Sequence, residues 1–438
     1  MRHKASGIRE YLTMTHMTRR FFLQTGAAAV AAGMGARAYA ANESIRVGVI
    51  GCRNRGPQVA ESMLQSGHFR LGTLCDCDRM MLRQGEKALE KLAPEGYKQE
   101  ADFRRVLEDP EIDAVVIATP DHWHAAMTAL ALEAGKHVYC EKPASFDLGD
   151  SALMRAAHAR YSHLTAVTGT QQRSGQHFRD AKAFIEGGGI GTVSFVRTWI
   201  THRRETIKQV PDSEPPKSLD YELWVGPSAY RPYNRELCHY NWHWVKDWGT
   251  GEMGNWGAHW LDIASWNLGL PLPTAVSGHG GQFVVKDAKQ TPDTQTVMYE
   301  FPGVTVLWEQ RLWTKNRLND DSSGVEFLGD QGQLVLTRGG WTVNPAEGEP
   351  QKHGGTELMQ GHVVNFAESI RGQATPVASL EDGLHTAALC HLGNLAVDCG
   401  KKIRLSEDGV ASTLDGEALP MRRDYRGEWR AVQERYDA

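Results

Sequence analysis

A strand, a tight glycine turn and a helix follow one another near the start of the chain, and this feature constrains the fold most. Ile45 to Ile50 (Ile-Arg-Val-Gly-Val-Ile) reads as a short buried strand, Gly51-Cys52-Arg53-Asn54-Arg55-Gly56 as the turn, and Val59 to Leu64 as helical patterning. Such a turn aims the free N–H groups and positive dipole end of a helix at an anion, and in a parallel βαβ unit that anion is a dinucleotide pyrophosphate. Phe69 to Cys75 reads as a second strand ending at Asp76. This is the spacing, about 20 residues past the glycines, at which a carboxylate accepts the ribose hydroxyls. A carboxylate there repels a 2′-phosphate, so NAD is expected over NADP; Asp78 competes for the same role. The turn departs from G-x-G-x-x-G, because Arg53 stands where the middle glycine lets the backbone approach phosphate. Arg53 and Arg55 are either charge-assisted phosphate donors or solvated loop charges.

Ala114-Val115-Val116-Ile117-Ala118 has the continuous apolar run of a parallel strand covered on both faces. It ends in Thr119-Pro120-Asp121-His122-Trp123-His124, followed by a helical stretch to Ala134 with Gly135 as its stop. A further strand, His137 to Cys140, runs into Glu141-Lys142-Pro143. Ligands of open α/β sheets bind at the carboxyl ends of the strands. The Gly51–Gly56 turn, Asp76, the stretch Thr119, Pro120, Asp121 and His124, and the pair Glu141 and Lys142 are therefore expected on one cofactor cleft.

The glycine turn, the block ATPDHWHAAMTALALEAGKHVYCEKP and its spacing resemble the Gfo/Idh/MocA oxidoreductases, over about Ile45 to Leu405. The resemblance implies an N-terminal Rossmann domain holding NAD(P) and a C-terminal α/β domain built on a large, mostly antiparallel sheet. It implies that Lys142 is the catalytic lysine, with a cis bond before Pro143. It also implies that Gly169 to Ser174 leads into the substrate domain, with Gln171 toward the nicotinamide and Arg173 toward substrate; capping of the helix Phe178 to Glu186 is the other role open to both. Farther on lies Gly249-Thr250-Gly251-Glu252-Met253-Gly254-Asn255-Trp256-Gly257-Ala258-His259-Trp260-Leu261-Asp262. A helix starting near Asn255 would put Asn255, His259 and Asp262 on one face. The family pattern here is D-x-x-x-H, which implies that His259 works beside the lysine. Asn255 replaces the usual Asp and cannot exchange a proton, but it can orient a hydroxyl or the imidazole. A satisfied core histidine is the alternative for His259.

The same region holds Tyr240, Trp242, Trp244, Trp248, Trp256 and Trp260. Such aromatic density suits either a carbohydrate cleft, where rings stack on sugar C–H faces, or a packed core. Trp256 and Asp262 are the residues expected to touch substrate. The proline-rich stretch Arg203 to Asn241 is long and aperiodic, as functional loops are, and is expected to wrap the substrate mouth. No H-E-x-x-H or facial-triad spacing occurs, so no metal is expected.

The organisation expected is a leader over residues 1–40, a dinucleotide-binding domain over 41–170, a substrate and oligomerisation domain over 171–405, and a C-terminal extension over 406–438. The leader resembles a twin-arginine export signal: Thr18-Arg19-Arg20-Phe21-Phe22-Leu23-Gln24, a weakly apolar Ala/Gly run, and Ala38-Tyr39-Ala40 before a cut. Export by that route to the periplasm is expected. The seven cysteines are odd in number and lack CxxC spacing, so a disulfide scaffold is not. A net charge of -5 argues against a nucleic-acid partner. No apolar run past the leader is long enough to insert in a membrane. The function expected is hydride transfer between a sugar or polyol hydroxyl and a tightly held NAD, in a homo-oligomer by analogy with the family. Two alternatives stand beside it: an NAD-dependent glycosidase using transient sugar oxidation and elimination, and a non-catalytic carbohydrate-binding or sensor protein.

Overall fold

The computed structural model describes residues 44–406, 411–413, 416–419 and 421–436. The leader read from the sequence lies outside the described residues. Six parallel strands form the first sheet: β1 (Ile45–Ile50), β2 (Phe69–Cys75), β3 (Lys98–Glu100), β4 (Ala114–Ile117), β5 (His137–Cys140) and β6 (Ala166–Thr168). Their order is β3-β2-β1-β4-β5-β6, so the winding reverses between β1 and β4 and opens a crevice at the carboxyl edge. All four residues of β4 are buried, as expected of a strand with helices on both faces.

The helix Arg55–Gln65 begins inside the glycine turn, earlier than its apolar pattern suggests. Close packing explains this. Gly51 has φ 98°, and a Cβ there would sit 2.4 Å from the Ala118 carbonyl oxygen. A Cβ on Gly56 would sit 2.0 Å from the Gly51 carbonyl oxygen. Both glycines let the helix start against the strand ends.

The second sheet has ten strands: β7 (Val193–Thr201), β8 (Ala275–Gly281), β9 (Thr294–Phe301), β10 (Val304–Arg311), β11 (Ser323–Gly329), β12 (Gly332–Thr337), β13 (Gly340–Pro345), β14 (Gln351–Gly354), β15 (Ile403–Leu405) and β16 (Ala411–Thr413). The order is β14-β13-β12-β11-β7-β10-β9-β8-β15-β16, antiparallel throughout except for the parallel pair β7–β10. Strand β10 alternates buried and half-buried residues along its length. Its buried side packs with Trp260, Leu261 and Ile263 of the helix Ala258–Leu268 and with Leu389 and Leu392 of the helix Leu380–Cys399. The latter helix opens with a reciprocal capping box between Ser379 and Asp382.

Two segments cross the expected domain boundaries. Val363, Phe366 and Ala367, on the helix Met359–Ile370, share a core with Val47, Val59 and Met63 of the Rossmann domain. Tyr425, Trp429, Val432 and Tyr436, from the stretch read as an extension, enter a core with Phe103, Trp123 and Leu130. Trp429 meets Trp123 edge-on at 4.7 Å and lies 5.9 Å from Phe103. The seven cysteines are free. No helix among the described residues is long and apolar enough to cross a membrane. Trp429→Ala is expected to destabilise the protein by about 3–5 kcal/mol, because it empties a buried aromatic site that ties the chain end to the first domain; urea unfolding measures this.

Candidate active site

A cavity of about 460 Å³ lies between the two sheets at the carboxyl edge of the Rossmann domain. From the glycine turn it is lined by Gly51, Arg53, Asn54 and Arg55, and from the end of β2 by Asp76. Thr119, Pro120 and Asp121 after β4, and Glu141 and Lys142 after β5, complete that wall. Asn255, Trp256, His259 and Gln171 face them. Gly56, His124, Arg173 and Asp262 are not on the wall.

Each departure has a packing reason. Gly56 serves helix-to-turn contact. His124 is buried, with Nδ1 2.7 Å from the Pro143 carbonyl oxygen and Nε2 3.0 Å from that of Thr119. Two carbonyl acceptors call for two N–H donors, hence an imidazolium. Burial opposes that charge, but Cys140, Asp121 and the Pro143 carbonyl outweigh it and raise the pKa to about 10. His124 thereby ties the Thr119 turn to the Lys142–Pro143 turn, whose peptide bond is cis.

Arg173 and Asp262 correct the expectation that they meet substrate. Arg173 donates from Nη2 to Asp262 Oδ1 at 2.7 Å and from Nε to Asp262 Oδ2 at 3.0 Å, and it also pairs with Asp382 at 2.7 Å. Thr386 Oγ1 donates to Asp262 at 2.8 Å. Asp262 is fully buried and its acceptor sites are filled. The three-residue face failed because Asn255 lies in a π-turn, Met253–Gly257, and the regular helix begins at Ala258. The wider turn rotates Asn255 out of the phase assumed from α-helical spacing, a local feature found often at functional sites.

That π-turn brings Asn255 to Lys142. Lys142 Nζ donates to the Asn255 backbone carbonyl at 2.9 Å and to its Oδ1 at 2.8 Å. Asn255 Nδ2 in turn donates to Glu252 Oε1 at 3.4 Å, and Glu252 is held by the Arg204 guanidinium. The amide is therefore oriented with its oxygen toward the lysine. Burial pulls the Lys142 pKa below its ordinary value, Glu141 and Asp121 push back, and Arg55 adds to the fall. His259 is buried edge-on to Trp256 at 5.8 Å, and its Nδ1 has no partner among the described residues. Burial, then Arg338, Lys142 and Arg55, hold the imidazole well below its usual pKa, so it is neutral.

At the other end, Asp76 Oδ2 accepts from the Cys52 N–H at 2.8 Å and Oδ1 from the Asp78 N–H at 2.9 Å. Asp78 is occupied differently. It caps the helix Arg79–Leu89 and bonds His239 Nε2 at 2.8 Å, which leaves Asp76 as the carboxylate on the wall. Arg55 pairs with Glu141 at 2.7 Å, whereas Arg53 lies 5.0 Å over the Tyr240 ring. The irregular stretch after β7 reaches farther than the substrate mouth. Arg79 N–H donates to the Ser218 carbonyl and Asp220 N–H to that of Cys77, so the stretch is fastened beside Asp76. Of its aromatics and those beyond, Tyr240, Trp242 and Trp256 line the cavity, while Trp244, Trp248 and Trp260 are core.

The donor set fits a dinucleotide. Thr119 Oγ1, Gln171 Oε1 and His259 Nδ1 are buried on the cavity wall without protein partners. The glycine turn and helix start suited to a pyrophosphate lie beside Asp76, which accepts from the Cys52 N–H of that turn. Among the described residues, no group of three or more His, Cys, Asp or Glu side chains is placed to hold a metal.

Residues 45–169 match the model described as an oxidoreductase family, NAD-binding Rossmann fold, and residues 193–277 the model for the same family's C-terminal alpha/beta domain. Both models are of the Gfo/Idh/MocA oxidoreductase family, to which these two stretches are similar. An uncharacterized oxidoreductase of Bacillus subtilis is 30% identical over 186 residues, 42% of this chain and 49% of its own. Myo-inositol 2-dehydrogenase of Thermotoga maritima is 32% identical over 178 residues, 40% of this chain and 48% of its own. The alignments thus span about half the length of these curated relatives. The crystal structure of aldose-aldose oxidoreductase from Caulobacter crescentus, complexed with glycerol, superposes with a TM-score of 0.65 at 18% identity, covering 83% of this chain and all of that one. That likeness is one of fold.

Sequence reading missed Arg204, Glu252 and Arg338. Arg204 and Arg338 enter the cavity from a strand-end loop and a hairpin turn, and Glu252 sits behind Asn255. No local motif marks Arg204 and Arg338, which reach the site only through loop closure and strand pairing, whereas Glu252 stands three residues before Asn255 in the run already quoted. Asp262→Ala is expected to cost about 3 kcal/mol of stability by leaving part of a buried guanidinium unpaired, with dinucleotide affinity retained; guanidinium unfolding and a cofactor titration check the two halves.

Proposed function

We propose that the protein transfers hydride between a sugar or polyol hydroxyl and a tightly held NAD. The observation that carries this is Lys142 fixed on Asn255 in the same cavity as the unpartnered His259 imidazole, opposite the dinucleotide turn. A bound nicotinamide supplies the hydride acceptor or donor. Lys142 spends two N–H bonds on Asn255, so its remaining valence is free for a ligand. As an amine, that position holds a lone pair that takes the hydroxyl proton; as an ammonium, it returns one. His259, neutral, offers one donor and one acceptor to a neighbouring hydroxyl. Asp76 is placed for the ribose and favours NAD over NADP by charge. Trp256 gives a sugar an apolar face.

Support for export comes from the Thr18–Gln24 arginine motif, the Ala/Gly run and Ala38-Tyr39-Ala40. A twin-arginine route to the periplasm suits a protein that folds around its cofactor first, and it requires that cofactor to be retained rather than exchanged. Association of copies is proposed through the sheet face away from the helices, where Thr296 and Met298 are exposed.

Lys142→Ala is expected to keep NAD and lose at least a hundredfold in turnover of a sugar or polyol panel, read by the absorbance of reduced nicotinamide. Wild-type-like turnover removes the assignment. Release of aglycone from aryl glycosides with no net reduction would replace it by the glycosidase reading. The second expectation concerns pH. The base must be neutral, so kcat/KM rises as pH climbs through the Lys142 pKa, below the ordinary lysine value. Asn255→Asp sets a carboxylate against the ammonium, raises that pKa, and moves the rising limb about one unit or more to higher pH. A limb that stays in place counts against Lys142 as the base.

A further inference from the structure

Four arginines face the cavity: Arg53, Arg55, Arg204 and Arg338. Arg55 is neutralised by Glu141 and Arg204 by Glu252. Arg53 lies over Tyr240, on the turn that opens the pyrophosphate end. Arg338 is different. It occupies the two-residue turn between β12 and β13, beside Gln172, Trp256 and His259. Its Nε donates to Gln172 Oε1 at 3.1 Å, and its guanidinium lies 4.8 Å over the Trp256 ring. It has no carboxylate partner among the described residues, and its two terminal nitrogens make no hydrogen bond to protein.

A half-buried cation without a counter-ion is costly unless something else supplies the charge. The cost is visible in its acidity: burial, with Arg55 nearby, draws its pKa down to about 10. The Nε bond and the ring contact also orient the guanidinium plane, leaving the paired N–H edge that matches a carboxylate. Asp76, Asp121 and Glu141 already line the cavity. With Arg53 on the glycine turn at the other end, the one unpaired guanidinium beside Trp256 and His259 suits a ligand of one negative charge better than a phosphate dianion.

Resting on the reading of this cavity as a hydride-transfer site, we propose that the substrate is a sugar acid whose carboxylate is bound by Arg338, beside Lys142 and His259. Trp256, covered by Arg338 on one face, then borders the sugar ring. The site distinguishes substrates by charge rather than by hydroxyl pattern alone, because removing the anion leaves the guanidinium unpaired.

The test is calorimetric titration of the cofactor-loaded protein with matched pairs: D-glucuronate and D-glucose, D-galacturonate and D-galactose, D-gluconate and D-glucitol. At least one acid is expected to bind roughly tenfold to a hundredfold more tightly than its neutral counterpart. Arg338→Gln is expected to remove that difference, and Arg338→Lys to restore part of it, with the NAD content of both variants unchanged. Binding of no acid, or equal binding within every pair, overturns the proposal, and neither result depends on a variant that folds. Loss of NAD in Arg338→Gln also overturns it, by assigning the guanidinium to the cofactor. Wild-type protein that holds no dinucleotide yet prefers the acid would strike the proposed function and leave the anion site standing.

Discussion

The contact between Lys142 and Asn255 joins the two halves of this protein at the point where chemistry is expected. Lys142 lies two residues past the end of β5, at the carboxyl edge of the parallel sheet, and Asn255 belongs to the π-turn that introduces a helix of the second domain. The lysine is half-buried, and in water-poor surroundings its charge is tolerated only near acceptors. Asn255 supplies two, one from the backbone and one from the side chain. Because the amide is neutral, it accepts from either protonation state and does not lock the proton on the lysine.

The shell around that contact is built from ion pairs that remove charge from the cavity floor. Glu141 is matched by Arg55, Glu252 by Arg204, and Asp262 by Arg173. Asp262 and Arg173 show what such pairing does: two residues with catalytic chemistry become a brace between the segment after β6 and the helix Ala258–Leu268. His124 does the same work between two loops of the Rossmann edge. Polar residues near an active site thus divide into those with filled hydrogen-bonding capacity and those left open, and only the second kind can respond to a ligand.

Much of the first domain was legible from local pattern. β1, β2 and β5 coincide with their apolar runs, and Asp76 lies on the cavity wall where spacing put it. The later sheet was legible in its longer strands, such as β10, whose alternation is plain. It was not legible at β13, which lacks a regular apolar alternation, or at β14 to β16, which have three or four residues each and owe their pairing to neighbours. The placement of Asn255 and Asp262 on one helical face was wrong because hydrophobic periodicity does not reveal a π-turn. The residues 421–436 carry too few periodic positions to show that they pack on the first domain, which depends on a hydrophobic surface contributed by Phe103 and Trp123.

The sequence by itself determined the dinucleotide half: a buried strand, a glycine turn, a carboxylate at the next strand end and a lysine after β5 each follow from local rules, since their positions are fixed by strand ends a few residues away. Only the tertiary structure decided which charged side chains are spent on each other. It placed Arg173 and Asp262 in a sealed pair, Asp78 on His239, and Arg338 unpaired at the cavity. Pairing depends on distances between segments remote in the chain and on how much water each group loses, and neither quantity is written in the order of the residues.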